Sequence, residues 1–245
     1  MSATITLSTS GRVLRQLRHD RRTVALLLVV PALLLTVLYY MYEDSAAVFD
    51  RIALTMLGIF PFVIMFLVTS IAMLRERTSG TLERLLTTPL GKIDLLFGYG
   101  LAFSAAAAVQ GVVATAVAYW LLGLDTVGSA GLVVLIAVVD AVLGVALGLL
   151  CSAFARTEFQ AVQFLPVVVV PQILLCGLFV PREQMAGWLQ AIADVLPLTY
   201  AVDALIEVGK SPDATATMWR DLIIVAGAAV LALVLAAATL RRRTP

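Results

Sequence analysis

The chain has 245 residues, 61% of them hydrophobic and 13% charged, with a net charge of +1. Soluble domains carry about 25% charged residues, so an ordinary soluble fold is excluded, and nothing in the charge favours nucleic acid. The apolar runs do not alternate with period two, which excludes a membrane β-barrel and leaves an all-α polytopic membrane protein.

Residues 1–22 form a polar arm with Arg12, Arg15, Arg18, Arg21 and Arg22. The apolar run that follows is too long for a signal peptide and lacks a small-residue cleavage site. It is read as the first of six spans, at about 23–41, 52–73, 95–122, 130–153, 160–180 and 219–240, each long enough for a hydrocarbon core of about 30 Å. Residues 23–245 are thus expected to make a single six-helix transmembrane domain.

Between the second and third spans lies a polar loop, 74–94, containing "RERTSGTLERLLTTPLGK". Leu82, Leu85 and Leu86 fall at i, i+3 and i+4, one apolar stripe on a short helix. Gly80 can cap it, Glu83 suits its first turn, and Pro89 ends it. About seven residues are too few for an isolated helix in water, so it must dock. One surface is the membrane, with Arg77 and Arg84 on lipid phosphates. The other is a cytoplasmic protein, which the mixed charges of Arg75, Glu76, Arg77, Glu83 and Arg84 suit better.

The third and fourth spans carry Gln110 and Asp140 near mid-depth. A carboxylate in lipid is costly, so a hydrogen bond between Asp140 and Gln110 is expected, with structural packing favoured over a transport role. "GVALG" (Gly144–Gly148) is a small-xxx-small pattern that lets helices approach closely. The fifth span contains Pro166 and Pro171 and should be kinked. Its Gln160, Gln163 and Gln172 are candidates for lining a pathway at a dimer centre. The segment 181–209 follows. Met185, Trp188, Leu189, Ile192 and Leu196 form one apolar helical face that Pro197 stops, and a second apolar piece begins at Leu198. Each piece is too short to span, which leaves two readings: half-helices dipping into the outer leaflet, or a surface hairpin with Trp188 in the interfacial belt.

Orientation follows from the basic residues. All but Arg51, Arg182, Lys210 and Arg220 of the 17 Lys and Arg fall on one side, which is therefore expected to be cytoplasmic with both termini. Cys151 and Cys176 fall near opposite faces and read as packing residues. The single histidine, His19, makes no metal site.

The loop also carries a resemblance. "RERTSGTLERLLTTPLGKIDLLFGYG" resembles the cytoplasmic loop of ABC-2 type permeases, the membrane subunits of ATP-binding-cassette exporters, in the daunorubicin and multidrug branch. The likeness extends to the arginine-rich arm, the six spans, the proline-containing fifth span and "FVPREQMAGWLQAIADVLPLTYAVDAL".

It implies a coupling helix over Arg75–Thr88 seated on an ATPase subunit, with Arg75, Glu76, Arg77, Thr81, Leu82, Glu83, Arg84, Leu85 and Leu86 at that interface. It implies an amphipathic N-terminal helix meeting the ATPase through Arg12, Arg15, Arg18 and Arg22. It also implies an external re-entrant gate, for which Trp188, Pro197 and Tyr200 are the candidate residues. The implied assembly is two ATPase copies on two permease copies, a homodimer rather than a heterodimer, in the inner (cytoplasmic) membrane. The implied cargo is a hydrophobic or amphiphilic small molecule, with a lipid-linked saccharide as the alternative.

ATP and magnesium would sit on the partner. In this chain "GKS" (Gly209–Ser211) lacks the earlier glycine of a phosphate loop, because position 204 is Ala204. Two other classes fit the sequence less well. A proton-coupled secondary transporter would use Asp140, but the docking loop and the lack of inverted repeats argue against it. An intramembrane enzyme would need a nucleophile–base or metal constellation that the sequence lacks.

Overall fold

The computed structural model describes residues 3–79 and 92–239, and among them all regular structure is helical. Helix α1 (Ala3–His19) ends at Asp20, whose carboxylate caps α2 (Arg21–Met41) by accepting from the Thr23 N–H and hydroxyl. Arg21 and Arg22 therefore open the first span rather than closing the arm. Helix α2 buries only Leu27, Pro31 and Leu35. That is one narrow i, i+4, i+8 seam, so the rest of its apolar surface is left for lipid.

Helix α3 (Ala46–Thr78) has 33 residues, or about 50 Å. It is longer than the predicted span by more than a turn at each end and overshoots a hydrocarbon core of about 30 Å. Helix α4 (Lys92–Ala116) continues through a π-turn at Val117–Leu121. Helix α5 (Ala130–Ser152) starts on Ser129, whose hydroxyl accepts from the Leu132 N–H. Helix α6 runs Glu158–Phe164, widens into a π-turn at Leu165–Val169 and resumes over Val170–Leu175. The π-turn holds Pro166 and stops two residues before Pro171, which is where the prolines predicted a distortion. This span ends five residues earlier than expected because Gly177, at φ +92°, turns the chain. After a 3-10 turn at Arg182–Gln184 come α7 (Gly187–Ala193), α8 (Pro197–Lys210) and α9 (Ala216–Thr239). Among the described residues, six helices are long and apolar enough to cross a membrane.

The core is built on α3 and α5. A Cβ at Gly144 would collide with the Phe62 carbonyl, and one at Gly148 would lie 2.6 Å from the Phe66 carbonyl oxygen. The two glycines set the backbone separation, as the small-residue pattern predicts. Cys151 and Cys176 are both buried and free.

The two short helices between the fifth and sixth spans behave differently. Helix α7 is short and leaves Trp188 and Ile192 exposed. Helix α8 buries Leu198, Ala201, Val202, Leu205 and Val208. It runs antiparallel to α3, with Gly209 against Leu54 and Leu205, one turn deeper, against Gly58. Helix α8 thus packs its apolar face along α3 inside the bundle.

Candidate functional site at the arginine-rich end

Helix α1 is held against α4 by small residues. Its buried face is Thr6, Thr9, Ser10 and Val13, and a Cβ at Gly98 of α4 would lie 2.8 Å from Thr9. Thr6 also donates to Asp94 at 3.5 Å. Arg12 extends from this helix, and both of its terminal nitrogens donate to Glu76 Oε1 at 3.1 Å. Nη2 also donates to the Tyr99 hydroxyl at 3.0 Å. Partial burial by itself would lower the Arg12 pKa, but the negative field of Tyr99 and Glu76 and its bonds to them leave it raised. Arg12 is a fixed cation, whereas Arg15, Arg18 and Arg22 are exposed.

Glu76 belongs to the loop start that the sequence assigned to an ATPase. Its neighbours also have partners inside the chain. Arg75 makes a two-pronged pair with Glu158 of α6 through Nε (2.7 Å) and Nη2 (3.1 Å). Arg77 donates to the Ser152 carbonyl at the end of α5. Three consecutive residues therefore fasten the end of α3 to α1, α5 and α6. Thr81, Leu82, Glu83, Arg84, Leu85 and Leu86 lie outside the described residues. Tyr99, Ser152 and Glu158 escaped the sequence reading, because partners 87, 75 and 83 residues away leave no local signal.

The polar residues inside the spans correct one expectation. Asp140 and Gln110 are both fully buried, yet neither makes a hydrogen bond to the other or to any described group. The reason is azimuth. Helix α5 meets α4 through Ala137 and Val138, which pack on Gly111. Asp140, two residues past Val138, is turned by about 200°. Its Oδ2 lies 3.4 Å from a Cβ built on Gly58, which places it on the α3 side with Leu205 near by.

An isolated carboxylate there would be very costly, and a neutral amide of the same shape would not carry that cost. Asp140→Asn should therefore melt no lower than wild type in detergent. A loss above about 3 °C, roughly 1 kcal/mol for a chain of this size, would show that the carboxylate has a partner.

Gln172 is also buried. It donates to the Val168 carbonyl at 3.0 Å and accepts from the Leu198 N–H at 3.4 Å, so it pins the start of α8 to α6. Gln163 is exposed and lines a cleft with Phe154, Arg156, Gln160 and Val167. At the opposite end of the molecule, Arg182 bridges Asp194 (3.2 Å) and Asp203 (2.8 Å). The Tyr200 hydroxyl donates to the Asp194 carbonyl at 2.6 Å, and Pro197 opens α8, where its missing N–H is not needed. Trp188 points away from these contacts and is exposed. Burial raises the Asp203 carboxyl's pKa against the lowering field of Arg182. Asp203, an acidic residue beside the buried face of α8 with a side chain 30% exposed, is the signal that would have flagged Arg182, because a partly buried carboxylate favours a cationic partner.

Comparison with known proteins joins these features. Part of a multidrug ABC transporter permease of Escherichia coli K12, YbhR, described as probable, is 30% identical over 156 residues, covering 64% of this chain and 42% of that protein. The linearmycin resistance permease protein LnrN of Bacillus subtilis is 27% identical over 135 residues, 55% of this chain and 35% of that one. ABC transporter G family member 20 of Dictyostelium discoideum is 28% identical over 159 residues, 65% and 22% respectively. The matched stretch spans less than half the length of each relative. The model of the ABC-2 type transporter family matches residues 5–208, from α1 into α8, and the chain belongs to that family of multi-pass membrane proteins.

Proposed function

We propose that the chain is the membrane subunit of an ATP-driven exporter. It would carry a hydrophobic or amphiphilic small molecule, drug-like or lipid-like, out of the cytoplasm. Two copies pair in the cytoplasmic membrane with the arginine-rich end inside, and a separate ATP-binding-cassette subunit docks on each. The observation that carries this reading is the clamp at the end of α3. A helix of 33 residues projects beyond the bilayer and is tied there by Glu76, Arg75 and Arg77 to α1, α6 and α5. A push on the docking segment that follows would move these helices as one body. The same α3 contacts the re-entrant α8 at Gly58 and Leu54, which gives the push a route to the external gate.

Segment 81–88, which the sequence reads as a docking helix, supplies the test. Leu85→Asp would put a carboxylate into an apolar contact, and Glu83→Arg would reverse the charge that orients it. Neither touches a span, so insertion should persist. Tagged protein is purified from membranes of its native host and the eluate probed for ATP-binding-cassette subunits. Efflux of lipophilic fluorescent dyes is followed in inverted vesicles. The expected result is retention of the ATPase by wild type and loss of at least tenfold in both variants, with ATP-dependent efflux lost in parallel. Wild-type pull-down and efflux in both variants would sink the docking role. Efflux driven by a proton gradient without ATP, and lost in Asp140→Asn, would instead favour a secondary transporter.

A further inference from the structure

A cavity of about 580 Å³ opens on the side of the bundle, bounded by α1, α2, α3 and α4. That volume lies within the range of sites for small organic ligands, about 300–1,000 Å³. Its polarity is graded along two independent walls. On α3 the lining runs from Ile64, Leu67 and Val68 to Arg75 and Glu76. From Ile64 to Arg75 is eleven residues, about 16 Å of helix. On the facing wall it runs from Val30 and Leu26 back to Asp20, ten residues or about 15 Å. Both walls pass from apolar to charged over the depth of one leaflet, half of a hydrocarbon core of about 30 Å.

The charged mouth carries both signs. Arg75 uses Nε and Nη2 for Glu158, which leaves Nη1 without a hydrogen bond among the described residues. Asp20 accepts one bond at each oxygen from Thr23, and a carboxylate has further lone pairs. Glu76 is neutralised by Arg12. Arg75 is paired with Glu158 in the same way, so the mouth presents only the unused Nη1 edge of Arg75 beside the Asp20 carboxylate, two groups close enough to act on each other. The arrangement is matched to a phosphate joined to an ammonium rather than to a singly anionic headgroup.

We propose that this cavity is a binding site for one zwitterionic phospholipid of the leaflet at the arginine-rich end. Its phosphate meets Arg75, its ammonium meets Asp20, and one acyl chain lies between α2 and α3. The lipid is a resident of the fold drawn from the bilayer, and the site does not depend on the transport reading.

The full chain is reconstituted in nanodiscs of equal parts phosphatidylethanolamine and phosphatidylglycerol, re-extracted in mild detergent and weighed by native mass spectrometry, without ATPase or ATP. Wild type is expected to retain one phosphatidylethanolamine per chain, at least tenfold over phosphatidylglycerol. Ala72→Trp, which fills the cavity, should lose it. Leu26→Trp, at a half-exposed position on the rim, should do the same without disturbing the core and decides the matter if Ala72→Trp does not fold. Val230→Trp, on exposed α9 surface outside the cavity, should keep the lipid. Asp20→Asn should erase the headgroup preference while a lipid remains. No retained phospholipid in wild type, or equal retention in wild type and Leu26→Trp, overturns the site. Equal retention of the two lipids by wild type overturns the headgroup assignment.

Discussion

Gly144→Leu should remove the folded protein from the membrane. The glycine faces the backbone carbonyl of Phe62, and a Cβ there would overlap it. Overpacking costs about 1–3 kcal/mol where side chains can shift. Here the obstacle is main chain in the middle of α3, so α3 and α5 must separate along their whole seam, and the loss should reach about 3 kcal/mol or more. Gly148, one turn on, meets the Phe66 carbonyl and would lose its contact too. Gly227→Leu is the control. It also lies in a spanning helix, α9, but has open space around its Cβ position. Size-exclusion traces of detergent extracts should show a monodisperse peak for Gly227→Leu and little or none for Gly144→Leu. Equal peaks would mean that the two helices do not depend on this approach.

Glu76→Ala should be the most damaging single change at the arginine-rich end. It strips Arg12 of its carboxylate partner while the guanidinium, with a side chain only 31% exposed, stays against Tyr99. An unpaired, partly buried charge of this kind costs more than the pair itself is worth, so a loss of about 2 kcal/mol is expected. For a chain of this length that is a melting shift of about 4–8 °C. Arg75→Ala should do far less, because Arg75 and Glu158 are both more than half exposed and such pairs contribute about 0–1 kcal/mol. The double change Arg12→Met with Glu76→Leu should recover most of the loss, since an apolar pair leaves nothing to solvate. If Glu76→Ala and Arg75→Ala shift the melting point equally, burial does not distinguish the two pairs and the clamp on α1 is not as described.

Much of this molecule is written locally. The six spans were legible because lipid demands about 20 apolar residues in a row, and no tertiary contact can relax that demand. The π-turn of α6 follows from Pro166 and Pro171, and the close approach of α3 and α5 from Gly144 and Gly148. The loop motif, with the rest of the resemblance, was enough to place the chain in its family.

What the sequence left open is which side of each helix meets which neighbour. In a soluble protein the apolar stripe answers that question. In a spanning helix every face is apolar, so periodicity carries no azimuth. For that reason Asp140 and Gln110 could be placed at one depth and yet share no hydrogen bond. Likewise, nothing in the sequence told that Gln172 accepts from the Leu198 N–H. The charges of Arg75, Glu76 and Arg77 looked free for a partner because their counterparts, Glu158, Arg12 and the Ser152 carbonyl, lie more than 60 residues away in the chain. Sequence determined where the chain crosses the membrane, because that depends on length and hydropathy alone. Only the tertiary structure decided what each polar group touches, because that depends on how rigid helices turn their backbones to one another.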